Sequence, residues 1–132
     1  MTQPRILVID DDEVARELMC ELLRARGCEV FDSGSPIGVS KLIAQYQINV
    51  IVIDIMMPDI SGDKLAKLLR NNPRLDALSI VLVSSGDAER LSQLAAEVGA
   101  DAVVPKAELR NQLTYLVLAA HHRRQLSKTL AR

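Results

Sequence analysis

Five short apolar runs punctuate the chain, separated by amphipathic stretches. The runs are RILVI (5–9), CEVFD (28–32), NVIVI (49–53), SIVLVS (79–84) and DAVV (101–104). All but the second are near-continuous blocks of aliphatic, mostly β-branched residues. That is the pattern of parallel strands covered on both faces, not of strands with one wet side. The segments between them have helical spacing. Over 13–26, Ala15, Leu18, Met19, Leu22 and Leu23 share a face, and Gly27 is placed to supply a left-handed cap. Ser35-Pro36 predicts an N-cap and first-turn proline ahead of Val39, Leu42, Ile43 and Tyr46. Ser61 opens a third helix that stops before Pro73, Asp87 caps a fourth closed by Gly99, and a fifth begins near Glu108.

Strand and helix repeated five times predict one α/β domain, an open, doubly wound parallel sheet of five strands with right-handed crossovers. Its 132 residues suffice for one sizeable core and leave no room for a second domain. With aromatic content of only 2%, that core must be aliphatic. Net charge is −1, so the whole chain offers no electrostatic case for binding nucleic acid directly. The balance is uneven, however. Residues 121–132 carry four basic side chains (Arg123, Arg124, Lys128 and Arg132) and no acidic one, and they read as a solvated, basic helix end. Cys20 and Cys28 lack metal-ligand spacing and read as reduced thiols of a cytoplasmic protein. No run approaches the roughly 18 apolar residues of a membrane span, and no secretory leader is expected.

In an open α/β sheet the ligand site lies beyond the carboxyl ends of the strands. Four of these ends carry chemistry. Strand one ends in Asp10-Asp11-Asp12, strand three in Asp54, strand four in Ser84-Ser85-Gly86, and strand five leads into Pro105-Lys106. Carboxylates about 4 Å apart repel by roughly 4 kcal/mol at an effective dielectric near 20. A hard divalent cation relieves that repulsion, and oxygen ligands of this kind suit Mg²⁺. A carboxylate facing such a cation, with a hydroxyl and an ammonium nearby, is equipped to attack phosphorus and to spread the charge of a transferring phosphoryl group.

The ordered set ILVIDDD, IVIDIMMPDISG, IVLVSSG and GADAVVPK resembles the receiver domain of bacterial two-component response regulators over residues 4–120. The resemblance implies a flavodoxin-like (βα)5 fold with strand order 2-1-3-4-5, a receiver domain over 1–120, and residues 121–132 as a basic extension of the last helix. It implies Asp54 as phospho-acceptor, with Asp10, Asp11, Asp54 and the Met56 backbone carbonyl around Mg²⁺. Ser84 matches the switch hydroxyl and Lys106 the lysine that pairs with the phosphoryl group, while Asp12 is left to cap the first helix. Implied partners are a sensor histidine kinase or histidine phosphotransfer protein as donor, and a downstream protein or output domain as reader. Such a protein is a signalling receiver, not a general enzyme. Two positions depart from the family: Ala107 stands where proline usually follows the lysine, and Val103 where an aromatic switch residue is usual.

Two rival readings share some of these residues. Asp10-Asp11-Asp12-Glu13-Val14 fits the D-x-D-x-V motif of haloacid-dehalogenase-type phosphatases, with Asp10 as nucleophile and Asp12 as acid/base, but that leaves Asp54 without a role. A pseudo-receiver that only binds partners is the other, although no key group is missing here. His121 and His122, the only histidines, are expected in solvent beyond the folded unit. LTYLVLAA (113–120) is apolar at seven of eight positions, so its helix is expected to bury a second face. Tyr115, Leu118 and Ala119 are the candidate contacts, with a partner or in a homodimer through helix 4, strand 5 and helix 5.

Overall fold

The computed structural model describes residues 3–130. Strands β1 (Arg5–Ile9), β2 (Glu29–Ser33), β3 (Val50–Asp54), β4 (Ser79–Ser84) and β5 (Ala102–Pro105) alternate with helices α1 (Glu13–Arg24), α2 (Val39–Tyr46), α3 (Gly62–Arg70), α4 (Ala88–Val98) and α5 (Leu109–Leu130). The strands form one parallel sheet in the order β2-β1-β3-β4-β5. Chain order therefore reverses between β1 and β3, which opens a crevice at their carboxyl ends.

Alternation along the strands divides the core in two. Leu7, Ile9, Ile51, Ile53, Ile80 and Leu82 face α2, α3 and α4. Ile6, Val8, Val50, Val52, Val81, Val83 and Val104 face α1 and α5. Both faces are dry, which is why the central strands carry no polar residue between their first and last positions.

Several boundaries differ from the sequence reading. β2 lies one residue later than expected. It is an edge strand with only Val30 buried, so its pattern is weaker. The Ser35-Pro36 signal marks a turn, in which Ser35 Oγ accepts from the Ile37 N–H, and α2 starts only after Gly38. β5 is also one residue later and ends on Pro105, where a missing donor costs nothing on an edge. A 3₁₀ turn, Lys106–Glu108, precedes α5.

The basic end of α5 is exposed at His122, Arg123 and Lys128, as expected, but Arg124 is half-buried and His121 is buried rather than in solvent. Arg124 Nε donates to Asp101 Oδ1 at 2.9 Å and its Nη1 to the Asp76 carbonyl at 2.9 Å. Asp101 Oδ2 takes Arg70 Nη2 at 3.0 Å and the Ile80 N–H at 2.8 Å. One carboxylate thus joins α3, the starts of β4 and β5, and the far half of α5. His121 is 8% exposed, with Nδ1 buried and unpartnered, and burial, then the neighbouring His122, pulls its pKa down. Arg132 lies outside the described residues.

Candidate functional site

The carboxyl ends of β1 and β3 lie side by side, since Ile9 pairs with Ile53 in register. The next residue of each strand is an aspartate, and both are buried: Asp10 is 0% exposed and Asp54 2%. Exposed Asp11 completes the group, for one carboxylate oxygen of each of Asp10, Asp11 and Asp54 lies within 4.8 Å of the others. Lys106, just past β5, brings Nζ to 3.1 Å from Asp10 Oδ2 and 3.6 Å from Asp54 Oδ2. Period-two alternation explains the convergence. Asp10, Asp54 and Lys106 continue the positions of Val8, Val52 and Val104, which share one face of the sheet.

The local chain holds each carboxylate in place. The Asp12 N–H donates to Asp10 Oδ1 at 2.9 Å, and the Met56 N–H to Asp54 Oδ1 at 3.4 Å. Behind Asp54, α3 begins at Gly62, whose N–H donates to the Ile55 carbonyl at 2.9 Å. A Cβ at Gly62 would collide with the Asp54 carbonyl, so only glycine lets the helix start this close to the acceptor strand. The sequence reading missed that residue, although the SG step after IVIDIMMPDI was its signal. Asp12 accepts from the Val14 N–H at 3.1 Å as the N-cap of α1. That is the capping role the sequence assigns it, and Asp54, which a phosphatase reading leaves without a role, lies in the cluster.

Charge is unbalanced in this pocket. Burial first, and then the neighbouring Asp10 charge, push the Asp54 carboxyl up from 3.8 to about 6 against the opposing pull of Lys106 and the Met56 amide. Burial works against the Lys106 ammonium, but its contacts with Asp10 and Asp54 outweigh that and raise it overall. Buried Asp10 Oδ2 has the Lys106 ammonium, 3.1 Å away, as its counter-charge. Three clustered carboxylates, with one ammonium that meets only two of them, leave an excess of negative charge and oxygen ligands that fit a hard divalent cation. The Met56 carbonyl accepts no backbone hydrogen bond among the described residues, while the Met56 side chain is 70% exposed at the rim.

Ser84 closes β4 at the same rim, and no hydrogen bond among the described residues links it to the cluster. It is buried, follows the position of Leu82 on the opposite face, and its Oγ accepts from the Gly86 N–H at 3.1 Å. Val103 is half-buried against the core of α4, and every described peptide bond is trans, Lys106–Ala107 included.

A family pattern described as the response regulator receiver domain matches residues 6–118. The aerobic respiration control protein ArcA of Escherichia coli (strain K12) is 28% identical over 114 residues, 86% of this chain and 47% of ArcA. The chain spans about half the length of the curated relatives ArcA and GltR. Among solved structures, a response regulator receiver domain protein from Clostridium thermocellum superposes with a TM-score of 0.80 at 24% identity, covering 93% of this chain and 98% of that one. The signal receiver domain of an HD domain-containing protein from Pseudomonas fluorescens Pf-5 reaches 0.84 at 15% identity, covering 98% and 94%. At such identities the structures attest the fold alone.

Proposed function

Because the chain belongs to the response regulator receiver domain family, we propose that it is a phosphorylation-controlled signalling switch whose acceptor is Asp54. The observation that carries this reading is the meeting of Asp10, Asp11 and Asp54 within 4.8 Å, beside the Lys106 ammonium. In this reading Asp10, Asp11, Asp54 and the Met56 carbonyl hold Mg²⁺, which when bound supplies positive charge against the phosphoryl oxygens. The donor is a phosphohistidine on a sensor kinase or histidine phosphotransfer protein. An Asp54 oxygen forms the new bond to phosphorus as the P–N bond breaks, and the departing imidazole takes up a proton. With its carboxyl near 6, Asp54 is mostly ionised at neutral pH and ready as nucleophile. Lys106 then pairs with the added charge of roughly −1.5 to −2.

Ser84 carries the message outward. Its Oγ accepts from Gly86, so the hydroxyl proton is free to donate to a phosphoryl oxygen. Drawing Ser84 inward pulls Gly86 and the loop 85–87 with it, ahead of α4. The face made by α4, β5 and α5 reads that movement. Tyr115, 71% exposed, with half-buried Leu118 and Ala119, meets a downstream protein, an output domain or a second copy. Residues 1–120 are the receiver unit and 121–132 its basic extension. With Val103 in place of an aromatic residue, loop displacement rather than a ring rotamer does the signalling.

Intact-protein mass spectrometry after incubation with Mg²⁺ and acetyl phosphate tests the reading. One phosphoryl group is expected on the wild type and none on Asp54→Asn. An unlabelled wild type would favour the pseudo-receiver reading, and label that survives Asp54→Asn but not Asp10→Asn would move the nucleophile to Asp10.

A further inference from the structure

Arg16 lies outside the carboxylate cluster, yet it grips the strand end that carries two of its members. From α1 its Nη1 donates to the Asp10 carbonyl at 2.8 Å, and its Nε pairs with Asp32 Oδ2 at 2.9 Å. Asp32 sits on β2, beside Val8 of β1. One planar guanidinium therefore joins α1, the end of β1 and β2, and two contacts from a rigid fork fix its orientation. Gly34 leaves the room it needs, because a Cβ there would stand 2.9 Å from Nη1. Two further polar groups of the same residue are also held: the Asp10 N–H donates to the Ser33 carbonyl at 3.3 Å, and Oδ1 accepts from the Asp12 N–H. The carbonyl that Arg16 holds belongs to the Asp10–Asp11 peptide, so it sets the direction in which Asp11 leaves the strand.

We infer that Arg16 is a positioning residue for the divalent-cation pocket: by clamping the Asp10 carbonyl against Asp32, it holds Asp11 where its carboxylate meets those of Asp10 and Asp54. The inference rests on the reading of those three residues as the Mg²⁺ site. A simple charge effect has the opposite sign. Arg16 is a cation near the site, so deleting it without disturbing Asp11 strengthens Mg²⁺ binding, whereas loss of positioning weakens it. Gly34→Ala separates the two further. It keeps the charge and displaces only the far end of a flexible side chain, so a charge effect predicts no change.

The test is calorimetric titration of the unphosphorylated full chain with MgCl₂, for wild type, Arg16→Ala, Gly34→Ala and Asp11→Asn. Phosphorylation by acetyl phosphate is followed in parallel as a function of Mg²⁺. Supporting residues of metal ligands typically change affinity by 10–100-fold, and the expected weakening in Arg16→Ala and Gly34→Ala is about tenfold. Phosphorylation at saturating Mg²⁺ should stay at the wild-type level, which a general loss of structure would not allow. Binding as tight as wild type in Gly34→Ala, or tighter in Arg16→Ala, overturns the inference while leaving the pocket intact. A wild type that binds no Mg²⁺, or an Asp11→Asn that binds it normally, overturns the pocket reading and the inference with it. If Arg16→Ala fails to fold, Gly34→Ala decides alone.

Discussion

Replacing Asp54 by Asn should make the metal-free protein more stable at neutral pH. The buried Asp54 carboxyl sits at about 6 in the folded chain against 3.8 for the ordinary group. The folded state therefore binds the extra proton more tightly than the unfolded state. Stability from this group is fully present below pH 3.8 and is lost as pH rises through 6. By pH 7.5 the accumulated penalty is roughly 3 kcal/mol, from 1.36 kcal/mol per pH unit of separation. Asparagine resembles the protonated acid in shape and never acquires the charge. Urea denaturation in a chelating buffer at pH 7.5 should thus find Asp54→Asn more stable by about 2–3 kcal/mol, and a thermal midpoint higher by roughly 8 °C. The gain should shrink through pH 6 and vanish near pH 4. Adding Mg²⁺ should close the gap from the other side, because the cation offsets the charge in the wild type and the variant offers it less. A constant difference across pH 4–8, or a variant less stable than wild type at pH 7.5, would refute the claim that burial and Asp10 set the character of this carboxyl.

Other substitutions probe the supports of the site. Gly62→Ala drives a methyl group into the Asp54 backbone; a loss of about 3 kcal/mol or more is expected in denaturant titrations, above the usual range for overpacking because backbone cannot step aside. Asp101→Asn removes the charge that Arg70 and Arg124 share, and should cost about 3 kcal/mol while raising hydrogen exchange in the last turns of α5. The Tyr115→Asp/Leu118→Asp variant should lose self-association or partner binding by analytical ultracentrifugation and pull-down, with its phosphorylation unchanged.

The parts of the fold legible in the sequence were those whose residues answer only to burial. β3 and β4 are dry on both faces, so VIVID and SIVLV announce themselves. β2, at the edge, exposes Glu29 and mixes its pattern with that of the turn that follows. Helix caps were readable where a side chain does the capping, as at Asp12 and Asp87. At α2 the cap is Gly38 in a left-handed conformation, and the more conspicuous Ser35-Pro36 sits one turn earlier. The reactive residues showed at strand ends because Asp10 and Asp54 break apolar runs. Arg16, Gly62 and Asp101 did not, because their significance lies in what they meet across the fold. Arg16 looks like any polar-face arginine of α1, and Asp101 like the opening residue of the fifth apolar run. The role of Arg124 was hidden for the same reason: nothing local to it reveals a carboxylate 23 positions upstream.

That shared carboxylate has an evolutionary corollary. Arg70, Asp101 and Arg124 come from three distant parts of the chain, and both arginines depend on the one carboxylate for counter-charge in a half-dry corner. Loss of Asp101 strands two like charges side by side, so lineages that keep both arginines should keep it as well, leaving a correlated trio at the end of the sheet opposite the reactive aspartate.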